Sequence, residues 1–261
     1  MGEAKRKRAK IGGSTDDPAF RKSIFTQAFE QTCKALDDPE LDDLQALIVT
    51  HRGRNAMLDQ AAETYAKAGK AECQIECSSC CHQMVLATPF EVFLIARYLL
   101  DTKTAAEIDI IKQRFTRLSR LPLDPAARYG SQNPCGLLEN GRCTVYEHRP
   151  SVCRTMLSAS RAACEQCLVA KNGTVPYIAG PSQIAVLMQL GIDYALINRR
   201  GLGTQRVELG GALLIAINDF DGAVMAWAGG ESPFSAYEIR RAGDPSNREI
   251  AETAAKRFGV A

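Results

Sequence analysis

No stretch of this 261-residue chain approaches the roughly 18 consecutive apolar residues needed to span a bilayer, which excludes a single-pass helical anchor. Charge of one sign is also missing. With 32 Lys and Arg against 30 Asp and Glu, the formal net charge is only +2, too weak a field to argue for nucleic acid or a membrane surface as the partner. Histidine is scarce: His51, His82 and His148 are the three available, which leaves few bases for a nucleophilic thiol. There is no fixed-period repeat and no Gly-rich loop joining a strand to a helix, so a dinucleotide or methyl-donor site has no visible anchor. The opening "MGEAKRKRAKIGGSTDD" has no apolar run and reads as neither a secretory signal nor an anchor. Arg6 occupies the position where a myristoylation motif has Ser or Thr. These absences lead to the expectation of a cytoplasmic protein, in a compartment where thiols stay reduced. The run Lys5, Arg6, Lys7, Arg8 and Lys10, without interleaved aromatics, reads as a solvated tail whose contact with a polyanion would at most be weak.

Cysteine, by contrast, is abundant. There are ten, and "AECQIECSSCCHQM" packs Cys73, Cys77, Cys80 and Cys81 into nine residues. Disulfides, zinc, an iron–sulfur cluster, a catalytic thiol, a redox sensor and plain packing are the uses to be separated. A chain of this length, 46% hydrophobic, can bury a sizeable core without disulfide staples. Together with the reducing compartment, that favours ligation over cross-linking.

Helix signals dominate the chain. Asp17 and Pro18 can start a helix with Phe20, Ile24, Ala28 and Leu36 on one face. A second run begins at Leu41 and carries Leu44, Leu47, Ile48, Met57, Ala61 and Tyr65. Thr88 with Glu91, Thr104 with Glu107, and Ser246 with Glu249 are capping boxes, each opening a helix. "PSQIAVLMQLGIDYALINRR" and "RVELGGALLIAIND" read as two more helices. Strands are limited to a short hairpin in "GLLENGRCTVY", turned at Asn140 and Gly141. Residues 122–134 are polar and turn-rich and read as a loop between cysteine groups. The expectation is a mainly α protein: a basic tail over 1–17, a helical arm over 18–70, and a metal-binding body over 71–261. That body would be built around an irregular, cysteine-rich centre with at most a short β-hairpin.

Nine of the ten cysteines are clustered. Cys73, Cys77, Cys80 and Cys81 form one group, Cys135, Cys143 and Cys153 a second, and Cys164 with Cys167 a third; Cys33 falls in a helix and reads as a core residue. Thiolates suit zinc and iron–sulfur clusters, and short spacings let two sulfurs converge across a turn. Cys80 and Cys81 are adjacent, and in extended backbone their side chains would diverge, serving different atoms of a cluster more easily than one tetrahedral ion. A divalent ion with four thiolates carries a surplus of negative charge, which Arg149 and Arg154 are placed to offset. His82 and His148 are alternative ligands, or donors behind the ligands.

The ordered pattern "CQIECSSCC" followed by "CGLLENGRCTVYEHRPSVCR" resembles the CxxCxxCC cysteine-cluster family, also called YkgJ-like, of zinc- or iron-chelating domains. The specific steps are Cys135, Leu137 and Leu138, Gly141, Cys143, Tyr146, Glu147, Arg149, Pro150, Cys153 and Arg154. The first gap, Cys73 to Cys77, holds three residues where the family name has two. The resemblance covers roughly 71–170 and implies metal ligation by Cys73, Cys77, Cys80, Cys81, Cys135, Cys143 and Cys153, with Cys164 and Cys167 added from the third group. The implied cofactor is iron, as an iron–sulfur cluster, or zinc.

Enzyme readings stand beside this one. Cys73, Cys77 and Cys80 have the CxxxCxxC spacing that resembles radical S-adenosylmethionine enzymes, and Gly229–Glu231 resembles a second motif of theirs. The flanks lack the alternating strands and helices of that barrel. Flagellin lysine N-methylases resemble the cysteine-cluster family and suggest a metal-dependent protein-modifying enzyme as an alternative; a redox or metal sensor is another. Whether the chain is an enzyme is left open by the sequence.

Overall fold

The computed structural model describes residues 14–74, 76–171, 175–239 and 244–260. The basic run of residues 5–10, and most of the expected tail, lies outside them. Among the described residues are eleven α-helices and two two-stranded ladders, which makes the protein mainly α. No single helix there is long and apolar enough to cross a membrane.

The first helix, α1 (Pro18–Leu36), opens as its sequence suggests: Asp17 caps it by accepting from the Ala19 N–H, with Pro18 at the first helical position. Helix α2 (Asp43–Ala68) begins at Asp43 rather than Leu41, because Asp42 and Gln45 form a capping box. The three capping boxes expected from sequence are all formed. They open α3 (Pro89–Thr102), α4 (Ala105–Leu118) and, at the far end, α11 (Asn247–Phe258). Just before α3 lies a two-residue strand, β1 (Leu86–Ala87).

The turn-rich stretch 122–134 contains a short helix, α5 (Pro125–Gly130), started by Asp124 as cap. The expected hairpin follows as β2 (Leu138–Glu139) and β3 (Arg142–Cys143), with Asn140 and Gly141 both at positive φ, the pair of left-handed residues that a two-residue hairpin turn requires. Helices α6 (Ser151–Thr155) and α7 (Arg161–Ala170) complete the cysteine-bearing segment.

The long α8 (Gly180–Arg200) packs on α1, α2 and α11. Gly191 makes the α1 contact possible: a Cβ there would sit 2.4 Å from the Phe25 carbonyl oxygen. The stretch read as one helix from Arg206 divides into β4 (Val207–Glu208) and α9 (Leu209–Asn218), and α10 (Phe220–Ala228) follows after a 109° bend. Strand β4 pairs antiparallel with β1, Leu86 opposite Glu208 and Ala87 opposite Val207. Two residues a side are too few to leave an alternating pattern in the sequence.

Apolar faces of α1–α4, α8 and α9 share one core, with Phe25, Phe93, Phe115, Leu58 and Leu99 among its fully buried side chains. At its centre lies a polar network that sequence periodicity does not reveal. Arg54 is 2% exposed and Glu91 is 1% exposed, and their side chains pair at 2.7 Å. Arg54 Nη1 donates to Gln189 Oε1 (2.6 Å), and Gln189 Nε2 donates to Asp193 Oδ1 (2.8 Å). Arg206 closes this branch on Asp193 Oδ2 at 2.9 Å. On the other side, His51 Nδ1 accepts from Arg54 Nη2 at 2.8 Å, and Asn55 fits with its amide oxygen facing His51 Nε2 at 2.8 Å. That pattern assigns a neutral ring protonated on Nε2.

Burial, then the Arg54 charge, holds His51 down to about 3. Burial would raise Glu91, but Arg54, the Ser151 and Thr88 N–H groups and His51 outweigh it and hold the carboxyl at about 2. Both groups therefore bind fewer protons folded than unfolded. As pH falls, His51 withdraws stability first, from about 6.5 downward, and Glu91 adds to the loss below about 4.5. In urea unfolding of the metal-free chain, each proton should contribute a slope of about 1.4 kcal/mol per pH unit, and His51→Gln should flatten the limb between pH 6.5 and 4.5. Arg54→Met, which strands the Glu91 carboxylate, should cost about 3–5 kcal/mol at neutral pH in the same assay.

Candidate metal centre

Four segments carry the first cysteines: a 3-10 turn, a loop, a hairpin strand and a helix. Cys80 and Cys81 lie in a single 3-10 turn, Ser79–His82, not in the extended backbone expected from their adjacency. The two are neighbours on that turn, and each shifts the other's thiol: Cys81 lowers Cys80 and Cys80 raises Cys81. Cys135 is fastened to this turn through its backbone, its N–H donating to the Cys81 carbonyl at 2.7 Å. Cys143 ends the hairpin, and Cys153 lies within α6. The hairpin segment is seated by Phe115 of α4. Its ring lies 3.0 Å from where a Gly136 Cβ would be and 2.5 Å from where a Gly210 Cβ would be, so a side chain at Gly210 would displace the ring and one at Gly136 would crowd it.

The thiols of Cys80, Cys81, Cys135, Cys143 and Cys153 lie within one another's fields. Burial raises Cys135 to about 11 and Cys143 above its usual value, each with a further push from a neighbouring sulfur. Cys153 is pushed up well above the thiol range by burial, then by Cys135, Cys80 and Cys143. Cys80 is lowered to about 7, chiefly by its neighbour Cys81 with Arg149 assisting, while Cys81 is raised by Cys80 and by burial.

A second, shallower group adjoins the first. Cys73 is exposed and its sulfur accepts from the Ser158 N–H at 3.2 Å. Burial raises it, as do the nearby Cys77, Cys80 and Cys164. Cys164 and Cys167 both lie on α7, which packs against the Ser79–His82 turn, and both act on Tyr129 of α5. Cys33 is buried in α1, apart from these segments.

All ten cysteines are free thiols. Among the described residues no group of three or more His, Cys, Asp or Glu side chains is arranged to hold a metal ion, so the expected cysteine-rich metal-binding centre is not present as a converged ligand set. What is assembled is its donor chemistry. Five thiols on neighbouring segments, with Arg128 acting on Cys135 and Arg149 on Cys80 and Cys143, suit a cation or cluster that would bind them as thiolates.

The charge partners differ from those expected. Arg149 does act on Cys80 and Cys143, and its guanidinium lies over the Tyr146 ring, 3.7 Å from the centroid. Arg154 faces away: it pairs with Asp59 at 2.8 Å and donates to the carbonyls of Arg149 and Glu147, tying α6 to α2. Its place beside the sulfurs is taken by Arg128 of α5, 6% exposed, which acts on Cys135. A run of turn residues around Arg128 conceals it in the sequence. His82 Nδ1 lies 3.3 Å from the Ser78 carbonyl oxygen, and His148 stacks on Tyr98 with ring centroids 4.2 Å apart.

The glycine motifs have structural work. Gly201 is the left-handed cap of α8, Gly210 and Gly211 admit the Phe115 and Tyr237 rings, and Gly229 caps α10.

Residues 72–172 match the family model CxxCxxCC, described as "Putative zinc- or iron-chelating domain". The match supports a metal ion, zinc or iron, as the partner. No curated protein and no solved structure matches the chain.

In the reduced, metal-free chain, iodoacetamide at pH 7 should alkylate Cys80 ahead of Cys81, Cys135, Cys143 and Cys153. Peptide mass mapping reads the order, and equal rates at Cys80 and Cys81 would overturn it.

Proposed function

We propose that the chain binds iron, as an iron–sulfur cluster, through thiolates drawn from Cys80, Cys81, Cys135, Cys143 and Cys153, in the reducing conditions of the cytoplasm. Cys73, Cys77, Cys164 and Cys167 form the outer set. The single observation carrying this reading is the Cys80–Cys81 pair, two adjacent cysteines on one tight turn, with the thiols of Cys135 and Cys153 acting on Cys81. A tetrahedral zinc ion takes four donors, and adjacent residues fit its angles poorly. A cluster offers several iron atoms over which such sulfurs can be shared.

Binding would replace thiol protons by metal, so uptake should acidify a weakly buffered solution. A sensing role is favoured by one feature, the exposure of Cys73 beside Cys77 and Cys80, which leaves that edge of the sulfur group open to oxidants.

Anaerobic purification followed by iron, zinc and acid-labile sulfide analysis tests the proposal. Iron with matching sulfide and a visible absorption band is the expected result. A colourless chain loaded with stoichiometric zinc and no sulfide would sink the cluster reading and leave a zinc–thiolate scaffold.

A further inference from the structure

Arg154 follows Cys153 directly and is 4% exposed. Its nitrogens are spent on three separate pieces of chain. Nε donates to the Arg149 carbonyl at 3.1 Å and Nη2 to the Glu147 carbonyl, which closes the Tyr146–His148 turn onto α6. Nη1 donates to both oxygens of Asp59 on α2, at 2.8 and 2.9 Å. The planar fork of a guanidinium reaches all of these at once, which a lysine ammonium cannot do. Helix α6 has only five residues, barely more than one turn, and cannot hold itself. It is held from outside at three of the five. Ser151 N–H donates to Glu91, itself paired with Arg54 of α2; Arg154 is held by Asp59; and Ser182 Oγ of α8 lies 3.3 Å from the Thr155 carbonyl oxygen and 3.2 Å from Thr155 Oγ1. Cys153 lies between these anchors, and its own N–H bonds only to the Pro150 carbonyl, at 3.0 Å.

We infer that Asp59 and Arg154 are positioning residues for Cys153: their ion pair fixes α6 and the Tyr146–His148 turn against α2, and so sets where the Cys153 thiol stands. The inference concerns the place of the thiol and holds whether or not a metal ion binds it. Asp59, Arg54 and Ser182 all lie outside residues 72–172. The cysteine-bearing segment is therefore completed by helices on either side of it, and α2 is a working part of the cysteine site, not a detached arm. Cys135 serves as the internal control, because its N–H is tied to the Cys81 carbonyl at 2.7 Å, independently of α6.

The test is iodoacetamide labelling of the reduced full chain, read cysteine by cysteine by peptide mass mapping, beside thermal unfolding of the same samples. Asp59 is the residue to change first, since its side chain is half exposed and truncation opens no cavity. Asp59→Ala leaves Arg154 a buried cation without its carboxylate, so labelling of Cys153 should quicken by about 10-fold while Cys135 stays within about twofold of wild type. Asp59→Asn, which keeps one oxygen for Nη1, should fall between. Arg154→Lys should match Asp59→Ala at Cys153. The double variant Asp59→Ala with Arg154→Met removes both charges and should regain the thermal midpoint that Asp59→Ala loses, yet leave Cys153 as reactive as in the single variant. A pair that only adds stability would restore protection and midpoint together, and that outcome overturns the inference. So does a Cys153 rate within about twofold of wild type in Asp59→Ala, or a rise shared equally by Cys135, which marks global opening. Should Asp59→Ala fail to fold, Asp59→Asn carries the comparison: a rise at Cys153 above that at Cys135 supports the assignment, and equal rates refute it.

Discussion

The fold turns on the carboxylate of Glu91. One oxygen accepts from the Thr88 N–H at 2.9 Å and closes the cap of α3; the other accepts from Arg54 at 2.7 Å and from the Ser151 N–H at 2.9 Å. A carboxylate 1% exposed is tolerable only because every lone-pair direction meets a donor. Through those donors it joins α2, α3 and the start of α6. Ser151 lies two residues before Cys153, so one buried ion fixes both the helical core and an end of the sulfur-bearing segment. A hydrophobic pair at the same place would pack the core as well, yet it would not set the height of α6 against α3.

The sulfur region obeys a different constraint. Its segments are positioned by backbone bonds, Cys135 N–H to the Cys81 carbonyl and Glu72 N–H to the Ser158 carbonyl, and by glycine contacts with Phe115, not by an apolar core of their own. Side chains are thereby gathered that do not favour one another. Thiols raise each other's pKa values, and two arginine nitrogens lack acceptors. Local conflict among groups held by an otherwise consistent scaffold is the expected mark of a functional site.

Much of this was legible in the sequence where a residue's role is local. The capping boxes at Thr88, Thr104 and Ser246 depend on spacings of three residues, and the hairpin on an Asn-Gly pair, so both read directly. The cysteine groups were equally plain. What escaped depends on distant partners. Thr50, His51, Arg54 and Asn55 look like the solvated face of α2, since nothing nearby announces that Glu91 and Gln189 will meet them. For the same reason Arg154, adjacent to Cys153, seemed the natural counter-charge, whereas Asp59, 95 positions away, claims it. Arg128 was hidden because α5 is six residues long and reads as turns. Cys80 and Cys81 were read on an assumed extended backbone, whereas they lie in a 3-10 turn.

Separating the two constraints has a consequence for how a metal would act. The core, with its buried aromatic and aliphatic residues and the Arg54–Glu91 network, gives the helices reasons to fold that do not involve sulfur. Metal binding energy is then not needed to form the scaffold, unlike in small domains that are unfolded without their ion. It would be available instead to draw the cysteine thiols, which among the described residues stop short of a converged ligand set, around an ion.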